Sequence, residues 1–326
     1  MKTKILTILS NSDSYVSGQQ LCEQLGVSRT AVWKVINRLK EEGYLIDSVS
    51  NKGYRLLNQP DVVTKEAILS KIQTNYMGRY IFSYDEVTST NTVAKQLAEE
   101  GEVEGTLIIS DKQNQGKGRR GRYWESPKGT GVFMTVILKP QMKPEYASML
   151  TLVAALALND AIMDLTGLES RIKWPNDIVV NKRKVSGILT ELSAEVDYIN
   201  YIVVGIGVNV SMKDFPEELK DKATSLLLES GKSISRAQLI AKTMGYLEDY
   251  YERFLKTHDL SQLKEAYSKA LINRDQVVRI LYEEDSYTGI ARGITSEGHL
   301  IVEKDNHELV EVYSGEVSVR GLYSYT

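Results

Sequence analysis

The sequence predicts an α+β protein of three units: an N-terminal winged helix-turn-helix, a central α/β body on a mixed sheet, and a small C-terminal SH3-like β-barrel. Three observations carry this prediction. Helical apolar periodicity fills the first forty residues and gives way to a short β-prone pair; β-rich and helical runs then alternate; beyond about Asn273 only closely spaced short strands are left. These changes put the units at 1–60, 61–272 and 273–326, and 326 residues are more than one average domain needs.

In the first unit Ile5, Ile8 and Leu9 share one helical face. Ser17 and Gln20 have capping-box spacing for a second helix, which Gly26 ends with a left-handed residue. Ser28 caps a third helix, where Val32, Val35, Ile36 and Leu39 form the buried stripe. Thr30, Lys34, Asn37 and Glu41 face outward, Trp33 and Arg38 lie on the flanks, and Gly43 stops the helix. The run YLIDSVSNKGYRLL reads as a hairpin, or wing, around Asn51, Lys52 and Gly53. A capped helix with a polar outer face fits a DNA major groove, while cations at its start and at the wing tip neutralise phosphates. The candidate DNA contacts are therefore Ser28, Arg29, Thr30, Trp33, Lys34, Asn37, Arg38 and Lys52. The competing reading is a small helical domain that binds protein or nothing. Charge favours the first reading: residues 1–60 hold eight Lys/Arg against five Asp/Glu, net +3, which leaves 32 against 38, net −6, for the rest of the 40 and 43.

The body alternates expected strands (Leu107 to Ser110, Gly131 to Leu138, Ile178 to Val180, Gly187 to Leu192, Tyr201 to Val208) with helices at Tyr146 to Leu165 and Arg236 to Leu255. Short turns such as Asn181 to Lys184 make much of the sheet antiparallel. The last unit is expected to hold strands at Gln276 to Tyr282, Tyr287 to Ile294, His299 to Glu303, Leu309 to Tyr313 and Glu316 to Arg320. The single cysteine, Cys22, is expected as a small buried residue, and a chain without an internal disulfide suits a reducing cytoplasm. No signal peptide or membrane-spanning segment is expected. The three histidines show no metal spacing, so no metal held by side chains is expected.

The chemistry concentrates in QNQGKGRRGRYW, from Gln113 to Trp124. Gly116, Gly118 and Gly121 deny it regular structure, and Lys117, Arg119, Arg120 and Arg122 repel one another unless an anion lies between them. Such a loop closes over phosphate or carboxylate through backbone N–H groups and forked guanidinium donors. It contains G-x-G-x-x-G but leads into another loop and a strand, so the dinucleotide-binding context is missing. A flexible basic surface loop or a second nucleic-acid contact is the alternative, with Trp124 stacking on a base or closing a core. KWPND (Lys173 to Asp177) is expected just before a strand, with Lys184 after the next turn in RKVSGILTE. Held beside a carboxylate and a phosphate, Lys184 would stabilise charge developing in acyl-phosphate chemistry; its alternative is a solvated lysine.

Taken in order, SRTAVWKVINRLKEEGY, STN, GKGRRGRYW, KWPND, KVSGILTE, GIGVN, ATSL and GEVSVR make nearly the whole chain resemble the bacterial bifunctional biotin protein ligases that also repress the biotin operon. The resemblance implies a biotin pocket of Ser89, Thr90, Asn91, Gln113, Lys117, Gly118, Arg119 and Lys184, with Lys184 and Arg119 catalytic. It implies a nucleotide side of Gly116, Arg120, Arg122, Trp124, Lys173, Asn176, Asn209 and Arg320. At Lys117 the family often has arginine, so the bidentate fork is lost while the charge is kept. The implied activity uses ATP with Mg2+ and biotin, forms biotinyl-5′-AMP, and transfers biotin to a lysine of biotin carboxyl carrier protein and other biotin-dependent carboxylase domains. The implied second role is repression of biotin synthesis and transport genes, with the adenylate as corepressor and a homodimer on palindromic operator DNA. A lipoate or octanoate ligase and a non-enzymatic biotin sensor are the rival readings.

Overall fold

The computed structural model describes residues 1–281, 286–313 and 318–321, the last stretch by its backbone alone. Helices α1 (Lys2–Ser10), α2 (Gly18–Leu25) and α3 (Arg29–Glu41) precede a hairpin of β1 (Leu45–Val49) and β2 (Gly53–Asn58). The capping box is reciprocal: Gln20 N–H donates to Ser17 Oγ at 3.1 Å, and Ser17 N–H donates to Gln20 Oε1 at 2.9 Å. Gly26 ends α2 with φ 65°, and Ser28 Oγ accepts from Ala31 N–H at 3.3 Å. Ile5, Leu9, Leu21, Val32, Ile36 and Leu39 close one small core with Ile46 of the wing. Cys22 is half-buried at the rim of this core, because α2 turns its tighter face to it through Leu21.

The body is a seven-stranded sheet in the order β3 (Ile81–Tyr84), β4 (Leu107–Ser110), β5 (Gly131–Leu138), β9 (Ile199–Asn209), β8 (Arg183–Ala194), β7 (Asp177–Val180) and β6 (Arg171–Lys173). Only β3 and β4 pair in parallel. Alternation divides each central strand between two cores. Leu107, Ile109, Val136 and Leu138 face α6 (Met149–Thr166) and α8 (Arg236–Thr257), whereas Ile108 and Ile137 face Ala94 and Ala98 of α5 (Thr90–Glu99). Covered on both faces, β5 is buried along its whole length and apolar but for Thr135. The short helices α4 (Lys65–Leu69), α7 (Leu226–Ser230) and α9 (Lys264–Ala270) complete this unit.

Three expectations need correction. Pro144–Thr166 is long and apolar enough to cross a membrane, with 72% of its most apolar window buried; that window is apolar because α6 is packed between the sheet and α8. The helix expected from Tyr146 begins as a 3-10 turn at Pro144–Tyr146, and α6 itself starts at Met149. The helix expected to end at Leu255 runs to Thr257, where His258 takes φ 56°. KWPND stands just before β7 as expected; the short strand β6, which Lys173 ends, is not among the expected strands, and Trp174 to Asn176 form the turn between the two. Such short strands become visible only through their partners.

That turn touches the C-terminal unit, where Trp174 Nε1 donates to Gly298 O at 3.1 Å, and Tyr267 Oη of α9 donates to Pro175 O at 3.3 Å. The C-terminal strands β10 (Val277–Leu281), β11 (Ser286–Ile294), β12 (Leu300–Glu303), β13 (Leu309–Val312) and β14 (Ser318–Gly321) form one antiparallel sheet in the order β13-β12-β11-β10-β14. The expected strand limits at Tyr282 and Glu316 lie outside the described residues.

Candidate active site and DNA-binding face

Ser89 precedes α5, and Thr90 and Asn91 form its first turn; all three are buried. They face the glycines of β8 and β9 across a cleft of about 460 Å³, counted to its open mouth. A Cβ on Gly205 would lie 2.1 Å from Asn91 Oδ1, and one on Gly207 2.6 Å from Trp124 Nε1, so the approach requires bare backbone at both positions.

The polarity of the cleft begins at Glu191. Its carboxylate accepts from Lys95 Nζ at 2.8 Å and from Asn91 Nδ2 at 2.7 Å, while Asn91 Nδ2 also donates to Leu189 O at 3.2 Å. With both amide hydrogens committed, Asn91 Oδ1 accepts, and it does so from Thr135 Oγ1 at 2.6 Å. Thr135 Oγ1 lies 2.8 Å from Thr90 Oγ1. Gln113 Oε1 accepts from Thr90 N–H at 2.8 Å, leaving its amide nitrogen to donate to Ser126 Oγ at 3.0 Å. Burial pushes the Glu191 carboxyl up, but hydrogen bonds from Lys95 and Asn91, together with the charges of Lys95 and Lys117, outweigh it and hold the group below the usual carboxylate range.

Over the cleft the basic loop doubles back as a small hairpin: Trp124 N–H donates to Gly116 O at 2.9 Å and Gly118 N–H to Arg122 O at 2.7 Å. Gly116 has no room for a side chain, since a Cβ there would meet Trp124 O at 2.2 Å. Arg119 Nη1 donates to Asn176 Oδ1 at 2.9 Å, and Asn176 Nδ2 to Ile188 O at 3.0 Å. Burial lowers the Arg119 guanidinium from its ordinary value; Asp177 opposes this and Arg120 adds to it. Lys184 Nζ is 2.5 Å from Asp177 Oδ1 and 5.4 Å from the centre of the Trp124 ring. The backbone of Lys184 is held on both sides, donating to Lys222 O at 2.7 Å and accepting from Thr224 N–H at 2.9 Å.

Ser89, Thr90, Asn91, Gln113, Lys117, Gly118, Arg119, Trp124, Asn176 and Lys184 thus line one cleft. Gly116, Arg120, Arg122, Lys173 and Asn209 do not line it. Arg120 and Arg122 are exposed, Lys173 is buried in β6, and Asn209 Nδ2 donates to Thr224 O at 3.1 Å. Arg320 lies opposite Arg279 along the backbone, and its side chain is outside the described residues. Thr135, Ser126, Lys95 and Glu191 escaped the sequence reading. The i, i+4 spacing of Asn91 and Lys95 is a signal that places both on one helix face. Among the described residues no cluster of His, Cys, Asp and Glu has the makings of a metal site.

On the N-terminal unit Ser28, Arg29, Thr30, Trp33, Lys34, Arg38 and Lys52 are exposed, and Asn37 is half-buried. Ser17, Gly18, Gln19, Arg29 and Lys52 line a groove between the starts of α2 and α3 and the wing. Arg29 Nη2 donates to Gln19 Oε1 at 2.8 Å, and Arg38 pairs with Glu42 at 3.2 Å.

An open-mouthed cleft with a polar network under a cationic loop, carried on a mixed sheet and joined to a helix-turn-helix unit with an exposed cationic face, defines a class: an anion-handling ligase body with a DNA-binding module. Residues 2–55 match the HTH domain family, residues 84–209 the Biotin/lipoate A/B protein ligase family, and residues 275–320 the Biotin protein ligase C terminal domain. The Bifunctional ligase/repressor BirA of Bacillus subtilis is 38% identical over 94% of each chain, and that of Escherichia coli 30% identical over 97% of this chain and 96% of the relative. The biotin protein ligase from Aquifex aeolicus solved in complex with biotin and ATP superposes with a TM-score of 0.65 at 30% identity, over 74% of this chain and 99% of that one. The chain belongs to the biotin protein ligases, in their bifunctional ligase/repressor form.

Proposed function

We propose that the cleft activates biotin with MgATP and that the chain then transfers biotin to a lysine of biotin carboxyl carrier protein or another carboxylase domain. A biotin carboxylate oxygen attacks the α-phosphorus, the bond to the β-phosphate oxygen breaks, and pyrophosphate leaves biotinyl-5′-AMP behind. The acceptor amine attacks the acyl carbon, the bond to the phosphate oxygen breaks, AMP departs, and the amine loses its proton. The observation that carries this reading is the convergence of Lys117, Arg119 and Lys184 on the mouth of a cleft whose interior is an oriented hydrogen-bond network. A carboxylate and a triphosphate repel, and three cations at one mouth lower that barrier while holding both in line. In this reading Ser89, Thr90, Asn91 and Gln113 hold biotin. Lys117, Gly118 and Arg119 close over it, and Lys184 and Arg119 stabilise the developing charge. Gly116, Arg120, Arg122, Trp124, Lys173, Asn176, Asn209 and Arg320 serve the nucleotide side, Gly116 by shaping the loop. Magnesium arrives with ATP. The unit limits at residues 60 and 272 and a cytoplasmic setting belong to the same reading.

Retained adenylate acts as corepressor: it orders the basic loop, favours a homodimer through the central unit and sets two winged units on a palindromic operator. The test of the ligase is pyrophosphate release and transfer to a carrier domain with ATP, magnesium and biotin. Biotin-dependent turnover lost in Lys184→Ala is expected. Turnover with lipoate instead of biotin would make the chain a different acyl ligase, and no turnover would leave a DNA-binding sensor. Adenylate-loaded protein that stays monomeric and binds operator no better than the apo protein would sink the corepressor half.

A further inference from the structure

Arg236, the first residue of α8, is buried at 3% exposure, yet it does not line the cleft. Its guanidinium instead spans three separate segments. Nε donates to Asp61 Oδ2 at 2.8 Å and Nη2 to Asp61 O at 2.5 Å, while the backbone N–H donates to Asp61 Oδ1 at 2.8 Å. Nη1 donates to Asp111 Oδ1 at 2.6 Å and to Gly131 O at 3.2 Å. Asp61 follows Pro60 on the stretch between the DNA-binding hairpin and the body. Asp111 is the residue after β4, two before Gln113, and Gly131 opens β5. These last two are the entry and exit of the segment that carries Gln113, the whole basic loop, Trp124 and Ser126. Next to Asp61, Val62 packs against both the small N-terminal core and the main core.

We propose that Arg236 is a positioning residue for the ligand loop and the tie between that loop and the DNA-binding unit. The inference rests on the cleft being the biotin site. One planar fork sets the separation of the loop's two ends and the place of the linker at once, so a shift on either side is felt on the other. Lysine cannot replace it, since a single ammonium lacks the fixed spread that reaches Asp61, Asp111 and Gly131 together. Two carboxylates share one guanidinium, so neutralising either one leaves Arg236 paired and the fold intact.

The test measures biotin affinity by calorimetry and KM with kcat by pyrophosphate release, on the full chain, for Asp61→Asn, Asp111→Asn, the double variant and Arg236→Lys. Asp61→Asn, remote from the cleft, is expected to weaken biotin binding and raise KM about threefold to tenfold while kcat stays within about twofold. The double variant, which leaves the buried guanidinium without a carboxylate, is expected to lose more than the product of the two single effects, because both act through Arg236, and Arg236→Lys is expected to be at least as severe as the stronger single variant. Asp61→Asn with unchanged biotin affinity, or single effects that multiply as independent ones do, overturns the tie. Arg236→Lys failing to fold leaves the two Asp variants to decide. An unmodified chain that binds no biotin sinks the reading of the cleft and the tie with it; an unmodified chain that binds, matched by Asp61→Asn, sinks the tie alone.

Discussion

Glu191 shows how one carboxylate orients groups it never touches. It can only accept, so it dictates which way Asn91 points; Asn91 in turn makes Thr135 a donor, and the cleft presents a defined set of donors and acceptors. Glu191→Gln removes that dictation, because an amide can present either face. KM for biotin is expected to rise about tenfold, the loss of one charge-assisted hydrogen bond, with kcat little changed in steady-state kinetics. The same group sets a pH signature. Its folded value is depressed, so its stabilisation is present above the ordinary carboxylate value and is lost as pH falls through the depressed one. Thermal melting of the wild type and of Glu191→Gln should differ at neutral pH and converge in acid; a gap that persists in acid would assign the effect to packing.

At the scale of elements, the wing depends on Gly53. Its φ is 112°, and a Cβ would fall 2.1 Å from Val16 O, where strand-like bridging joins Val16 to Tyr54. Gly53→Ala is expected to cost of order 1–3 kcal/mol of the N-terminal unit's stability, read by thermal unfolding. Lys52 at the wing tip and Arg29 at the start of α3 border the same groove. Lys52→Ala is expected to weaken binding to DNA duplexes of any sequence and to reduce the salt slope by about one, as loss of a phosphate contact does. Elements with local signals were readable from the sequence: the Ser17 and Gln20 capping box, the Gly26 terminus and the apolar run of β5 need no distant partner. Helix α5 was not, because its most buried positions, Thr90, Asn91, Ala94 and Ala98, are polar or small. The site divided in the same way. Charge density and glycine marked the loop, whereas the site roles of Lys184, Ser89, Thr90 and Asn91 came only from the resemblance. Thr135 and Glu191 meet Asn91 across 44 and 100 residues and left no local trace.

Across the whole molecule, the DNA-binding unit and the ligase body have separate cores that meet at Val62 and where α1 packs on α4, beside the stretch where Arg236 grips Asp61. Where the chain is cut should therefore matter more than whether it is cut. A chain beginning at Asp61 is expected to keep the biotin affinity of the full protein, and one beginning at Val63 to lose about as much as Asp61→Asn does, both measured by calorimetry. Equal affinities in the two truncations would show that the body ignores its linker. The Aquifex aeolicus ligase, which corresponds to 74% of this chain, shows that a body of this fold exists without an equivalent of the remainder.

The floor of the cleft is shaped by subtraction. Gly187, Gly205 and Gly207 lie on two adjacent strands, and each has neighbours within 3.1 Å of where a methyl group would sit. Glycine is already the smallest residue, so single substitutions there can only narrow the range of molecules admitted. Any variant selected to accept a bulkier acid must find its space elsewhere, by trimming the apolar wall at Met134, Leu189 or Ile206. Tolerance of bulkier ligands is thus a property this fold can acquire from the walls of the cleft and only forfeit at its floor.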